Sequence, residues 1–156
     1  MFTQKIYDKW MEKTQKEKYT DLEKLLPNVK NPLILDVGCG PAWVKDVISE
    51  KYPEFRYIGV DVEKGSSADI IASGDNLPFK SGTFDIVFCI DTLHLLNNIN
   101  ELVRVVKPSG YLIISLFLRK AHLLAELEEN KNLKLISKDI IGKQEKDLVE
   151  IFQKVC

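Results

Sequence analysis

The sequence predicts a doubly wound α/β domain: a mostly parallel sheet of seven strands between two helical layers, closed by a C-terminal antiparallel hairpin. Three observations predict it. Short, continuously apolar runs such as Leu33–Val37 and Phe84–Ile90 alternate with helix-like stretches, as strands covered on both faces do. The first runs end in an acidic or glycine-containing turn, where a sheet of this kind places its ligands. The last two runs are joined by the turn-prone Gly142-Lys143-Gln144, with no crossover helix between them.

Each element follows in order. Residues 1–26 are rich in Lys, Glu and Gln, with Phe2, Ile6 and Trp10 four apart on one helical stripe. The polar stretch Glu12–Lys18 predicts a helix that is exposed there or broken in two, before Leu22, Leu25 and Leu26 resume the apolar face. Pro27 and Asn31-Pro32 end it. A strand over 33–37 leads through Gly38-Cys39-Gly40 into a helix over 42–51. Strands over 55–60 and 68–72 follow, then one over 84–90. Asn98 and Glu101 are spaced as a capping box for a helix that stops at Lys107-Pro108. Residues 111–117 form the fifth strand, and 119–129 an amphipathic helix with Leu123, Leu124 and Leu127 on one side. Strands over 133–141 and 148–155 close the sheet.

Composition narrows the function. At 156 residues, 45% of them hydrophobic, the chain suits one domain over 1–156 with a sizeable core. Its 22 basic and 23 acidic residues give a net charge of −1, which argues against nucleic acid and anionic membrane as partners. No apolar run nears the roughly 18 residues of a membrane span, and the polar start MFTQKIYDKW lacks the apolar core of a secretory signal. Cys39, Cys89 and Cys156 are spaced unlike metal ligands and read as reduced thiols of a cytoplasmic protein. The chain shows no Ser/His/Asp set, no His/Cys metal cluster and no P-loop lysine.

The chemistry sits at the strand ends. Gly38 and Gly40 allow a sharp turn and a close backbone approach, and the next helix aims its N-terminal amides at the same spot. Asp61 ends the second strand 21 residues after Gly40, the separation of a nucleotide-binding βαβ unit, and suits a pair of ribose hydroxyls. A dinucleotide fingerprint needs a third glycine where this chain has the bulky Trp43, so NAD is disfavoured.

Four ordered motifs now carry a resemblance: Leu35-Asp-Val-Gly-Cys-Gly-Pro41, Tyr57-Ile-Gly-Val-Asp61, Gly74-Asp-Asn-Leu-Pro-Phe79 with Gly82-Thr-Phe-Asp-Ile-Val87, and Arg104-Val-Val-Lys-Pro-Ser-Gly110 with Tyr-Leu-Ile-Ile-Ser115. Spread over residues 33–117, they resemble class I S-adenosylmethionine-dependent methyltransferases with a Rossmann-like fold, and nearest to them the type 11, ubiquinone/menaquinone-biosynthesis-like group. Tyr7-Asp-Lys-Trp10 resembles the aromatic N-terminal segment common there.

The resemblance implies a cofactor, S-adenosylmethionine, and roles around it. Gly38, Cys39 and Gly40 would pass its methionine part, with Asp36 near the amino group and Cys89–Ile90 carbonyls facing the ammonium. Asp61 would hold the ribose and Val62 lie against the adenine. Asp75 would accept from the adenine amino group and Asn76 donate to the ring, with Leu77 beside them. Tyr7 and Trp10 would belong to a lid over residues 1–26. Ala42 in place of the motif's third glycine reads as a mild change, Pro41 as a first helical residue, and Ser109 as a minor loss. The short stretch Val62–Gly74 leaves a loop rather than a helix beside the adenine.

On the acceptor side, His94 and Asp91 are candidate proton acceptors; His122 reads as solvated. The expected activity is methyl transfer by in-line displacement to an acceptor, small molecule or protein. The alternative is a non-catalytic cofactor-binding partner or activator subunit; a partner chain or a homo-oligomer fits an open acceptor groove.

Overall fold

The computed structural model describes residues 4–155; Phe2 and Cys156 lie outside them. Helix α1 (Gln4–Glu23) is followed by β1 (Leu33–Val37), α2 (Trp43–Lys51), β2 (Arg56–Asp61), β3 (Ile70–Ile71) and β4 (Phe84–Ile90). Then come a 3-10 turn (Leu93–Leu95), α3 (Asn100–Val105) and β5 (Val106–Phe117). A 3-10 segment (Leu118–Leu124), α4 (Ala125–Glu128), β6 (Leu133–Ile141) and β7 (Asp147–Lys154) complete the chain. The seven strands form one sheet in the order β3-β2-β1-β4-β5-β7-β6. Strands β1 to β5 run parallel, and β7 is antiparallel to both β5 and β6. The expected doubly wound sheet with its closing hairpin is the observed one.

Period-two alternation sorts the side chains between the two faces. Ile34, Ile86, Phe88, Ile113 and Ile151 turn to the side covered by α1 and α2, where Tyr19, Leu22, Val44 and Ile48 meet them. Leu35, Val87, Leu112, Ile114 and Phe152 turn to the other side, under Leu102, Leu124 and Leu127. Strand order reverses between β1 and β4, so a crevice opens there at the carboxyl ends of the strands.

Local readings gave way at four places. Helix α1 is one unbroken helix, and its polar middle is exposed on one side only: Lys13 and Lys16 face solvent, whereas Thr14, Gln15 and Lys18 are buried, the lysine meeting Asp147 of β7. On the same helix Ile6 and Trp10, which share the apolar stripe, are 49% and 37% exposed. Asn98 does not cap α3, whose N-cap is Ile99; its Oδ1 accepts from the Asn100 amide, while Glu101 turns to the Leu77 amide and Arg104. Residues 119–129 form no single amphipathic helix but the 3-10 segment and one α-turn, with Leu124 and Leu127 buried and Leu123 exposed.

The fourth is Ala42. Helix α2 begins after it, two residues beyond Pro41, and Ala42 sits at φ +62°, in the left-handed region. Alanine there is strained rather than a mild substitute for glycine, since its Cβ crowds the following carbonyl. Ala42→Gly is therefore expected to stabilise the protein by about 1 kcal/mol. A urea midpoint that stays put or falls would show that the turn bears no such strain.

Candidate active site

A cleft of about 290 Å³ lies over the carboxyl ends of β1 and β2. Its walls come from the turn after β1, from Asp61–Glu63, from the 72–74 loop and from Thr92, Leu95 and Leu96. The turn after β1 is shaped by positive φ: Gly38 at +74° and Gly40 at +50°. A Cβ on Gly38 would run into the Thr92 side chain, whereas one on Gly40 would meet nothing within 4 Å. Gly38 thus lets the β1 and β4 ends close on each other, and Gly40 leaves open the space a side chain would fill.

Asp61 is anchored at the rim. Its Oδ2 accepts from the Gly40 amide and its Oδ1 from the Glu63 amide, both at 2.9 Å. Each oxygen keeps a further lone pair for a hydroxyl donor. Val62 and Leu95, 62% and 69% exposed, give the cleft two apolar sides. This is a donor set and shape that suit an adenosine: an acceptor for ribose hydroxyls between apolar surfaces for a flat base.

The other expected residues are distributed differently. Asp36 is 1% exposed and accepts the Tyr57 hydroxyl at 2.6 Å, so it stands behind the cleft rather than in it. Burial pushes its carboxyl up to about 7, against the Tyr57 hydrogen bond and with a further push from Asp61. Cys39 and Cys89 are buried; burial raises the Cys39 thiol to about 12 and the Cys89 thiol further, so neither is a thiolate nucleophile. The Ile90 carbonyl accepts the Thr92 hydroxyl at 3.0 Å. Asp75 Oδ1 accepts from the Asn97 and Asn98 amides, at 2.7 and 2.9 Å, and thereby fixes the loop leading into α3. Asn76 is exposed, and Leu77 is buried with its amide on Glu101.

Of the two expected lid residues, Trp10 is not at the cleft. The side chain of Tyr7 lies outside the described residues. Trp10 donates from Nε1 to Gln144 Oε1 at 3.1 Å, in the turn between β6 and β7. Among the described residues α1 contributes nothing to the cleft lining. His94 is half-buried, its Nδ1 has no hydrogen-bond partner, and burial followed by Lys120 lowers its pKa, which keeps the ring neutral near pH 7.

Two features were invisible in the sequence. One is Thr92, which packs against Gly38 across the strand ends. The other is a buried ion cluster. Lys18 and Asp147, both 0% exposed, lie 3.0 Å apart, with Glu145 at 3.4 Å and Asp91 at 3.8 Å from the same ammonium. The Phe117 ring centroid lies 4.5 Å from that nitrogen. Asp91 has φ +52°, and burial, then its neighbour Asp147, push its carboxyl up to about 8. No local pattern marks either feature, because the partners lie more than fifty residues apart in the chain.

Comparison with known proteins places this architecture. The family described as "Methyltransferase domain" matches residues 35–114, just over half of the chain. The Methanocaldococcus jannaschii protein MJ1123 is 28% identical over 96% of this chain and 76% of its own length. The next two curated relatives are spanned over only 46% and 41% of their lengths. Among solved structures, the complex of the Haloferax volcanii Trm112 methyltransferase activator with a methyltransferase matches at TM-score 0.77 and 13% identity, over 96% of this chain and 94% of that one. A Burkholderia thailandensis N1-methyltransferase with bound S-adenosylhomocysteine matches at TM-score 0.67 and 15% identity, over 96% and 82%. At these identities the structures speak for the fold.

Proposed function

Because this chain belongs to the methyltransferase-domain family and is an S-adenosylmethionine-dependent methyltransferase, we propose that it holds the cofactor in the cleft beside β1 and β2 and methylates an acceptor arriving over the end of β4. The observation that carries the site is Asp61, a carboxylate pinned at the rim by two backbone amides, one of them from the glycine turn. The cofactor supplies an electrophilic methyl group on a sulfonium.

This chain's residues bind and orient. Asp61 accepts the ribose hydroxyls; Val62 and Leu95 cover the base and keep water from it. Gly38 and Gly40 give the methionine part a path along bare backbone. Asp75 keeps Oδ2 for the adenine amino group while Oδ1 holds the 97–98 turn, and Asn76 faces the ring from the same loop. Asp36 acts through Tyr57 and the strand end rather than by contact. In-line displacement draws mainly on proximity, alignment and a water-poor site, so the absence of a triad is no obstacle. On this reading residues 33–117 hold the cofactor, and the described parts of the flanks, 4–26 and 118–155, serve the acceptor side.

Asp61→Ala tests the assignment. Hydrogen bonds to a charged group contribute about 1.5–3 kcal/mol, so binding of S-adenosylhomocysteine is expected to weaken roughly tenfold to hundredfold. An unchanged dissociation constant by calorimetry, with an unchanged circular dichroism spectrum, removes Asp61 from the ribose. A second reading, a subunit that works only with a partner chain, draws on the Haloferax volcanii complex, in which a chain of this fold is joined to an activator. Turnover of any acceptor by the isolated chain excludes it.

A further inference from the structure

The ion cluster at the ends of β4, β5 and β7 lies outside the cleft lining, yet stability alone does not account for it. Taking a lysine and an aspartate fully out of water costs more than an apolar pair of the same volume would. Three carboxylates, Asp91, Glu145 and Asp147, surround the single ammonium of Lys18, which leaves an excess of negative charge in a poorly solvated place. Polar groups there are also left over. Asp91 and Asp147 can hydrogen-bond each other only when one of them carries a proton, and the Oγ of Ser115, a residue 0% exposed, has no hydrogen-bond partner. Ser115 pairs with Ile90 and Val149, and the next residue on its face is Phe117, opposite Asp147; its hydroxyl therefore points to the cluster. Asp91 precedes Thr92, which lines the cleft. The two sites are thus one residue apart along the chain.

We propose that the Asp91–Asp147 pair, held in place by Lys18, makes the cleft select the cationic sulfonium form of the cofactor over its neutral thioether product. This rests on the cofactor reading above. Once the methyl group has left, the ligand loses its positive charge and with it the attraction, so product release is favoured by the same groups that favoured binding.

The selection is linked to protons. Asp91 faces Lys18 and Tyr19 of α1, Asp147 of β7 and Glu145 of the preceding turn; Asp36 of β1 lies near Tyr19. Its carboxyl, raised to about 8 by burial and then by Asp147, is neutral below that pH and ionised above it. A cation in the cleft favours the ionised form, so its binding expels a proton and strengthens as pH rises. A neutral thioether does neither. The carboxylate of the methionine part is common to both ligands; the sulfonium makes its own ammonium more acidic than that of the thioether, and this contribution is the same in the parent and in Asp91→Asn, so the comparison of the two proteins removes it.

The experiment is titration calorimetry of the full chain with S-adenosylmethionine and S-adenosylhomocysteine at about pH 6 and 8.5. A unit charge within about 10 Å, seen through an effective dielectric constant of about 20, changes an affinity on the order of tenfold. The preference for the sulfonium is expected to rise by roughly that factor between the two pH values, with proton release in buffers of differing ionisation enthalpy. Asp91→Asn, in which asparagine tolerates the left-handed backbone, is expected to flatten the ratio and abolish the release. A ratio independent of pH in the parent protein, or one that changes as much in Asp91→Asn as in the parent, overturns the proposal. If neither ligand binds, the cofactor reading falls, and this inference falls with it.

Discussion

Replacing Lys18 with methionine is expected to destabilise the protein by about 3–5 kcal/mol above pH 8, because it leaves buried carboxylates without their counter-charge. Methionine fills the space of the lysine stem, so the loss is electrostatic. Asp147 is fully buried and 3.0 Å from the ammonium, and Asp91 is 3.8 Å from it. The pH dependence has a definite sign. The folded-state pKa of Asp91, about 8, stands above the ordinary aspartate value of 3.8, so between those limits the folded state holds a proton that the unfolded chain has released. Stability from this group is therefore lost as pH rises through that window. Lys18 opposes the shift, and its removal raises Asp91 further. The deficit of Lys18→Met should accordingly be smallest near pH 5, where Asp91 is protonated in both proteins, and grow toward pH 8.5. Urea denaturation at the two pH values checks it. A variant as stable as its parent at pH 8.5, or a deficit that grows toward acid, contradicts the cluster's charge assignment.

The second large effect is at Gly38. An alanine there must adopt φ +74° and push its Cβ into Thr92, so Gly38→Ala combines backbone strain with overpacking, about 2–5 kcal/mol together. Gly40→Ala is the control: φ is +50°, but the space around it is open, leaving only the backbone cost of about 1–2 kcal/mol. Denaturation midpoints of the two variants should differ in that order. Equal losses would mean that Thr92 gives way freely and the contact between the β1 and β4 ends is loose.

The sheet was legible because its signals are local. Leu33–Val37 and Phe84–Ile90 are too short and too evenly apolar for anything but strands covered on both faces, and the observed bounds coincide with them. Leu133–Ile141 likewise coincides, since Gly142 at φ +95° turns the chain directly into β7. Asp61 at the cleft rim could be read from its spacing to Gly40, because one βαβ unit brings those two residues together by geometry alone. The capping box at Asn98 misled for the opposite reason. Its amide and that of Asn97 are taken by Asp75, a residue outside the window on which capping statistics rest.

The sequence by itself therefore determined the order of elements, the parallel sheet, the hairpin and the acid-and-glycine rim, all of which rest on residues within one supersecondary unit. Only the tertiary structure decided that Lys18, amid a stretch that looks solvated, is fully buried, that Asp36 belongs to Tyr57, and that Trp10 reaches Gln144 instead of the cleft. A charged or polar side chain is stable inside only when a partner meets it there, and these partners reach the site from other strands and turns, which no local pattern in the sequence identifies.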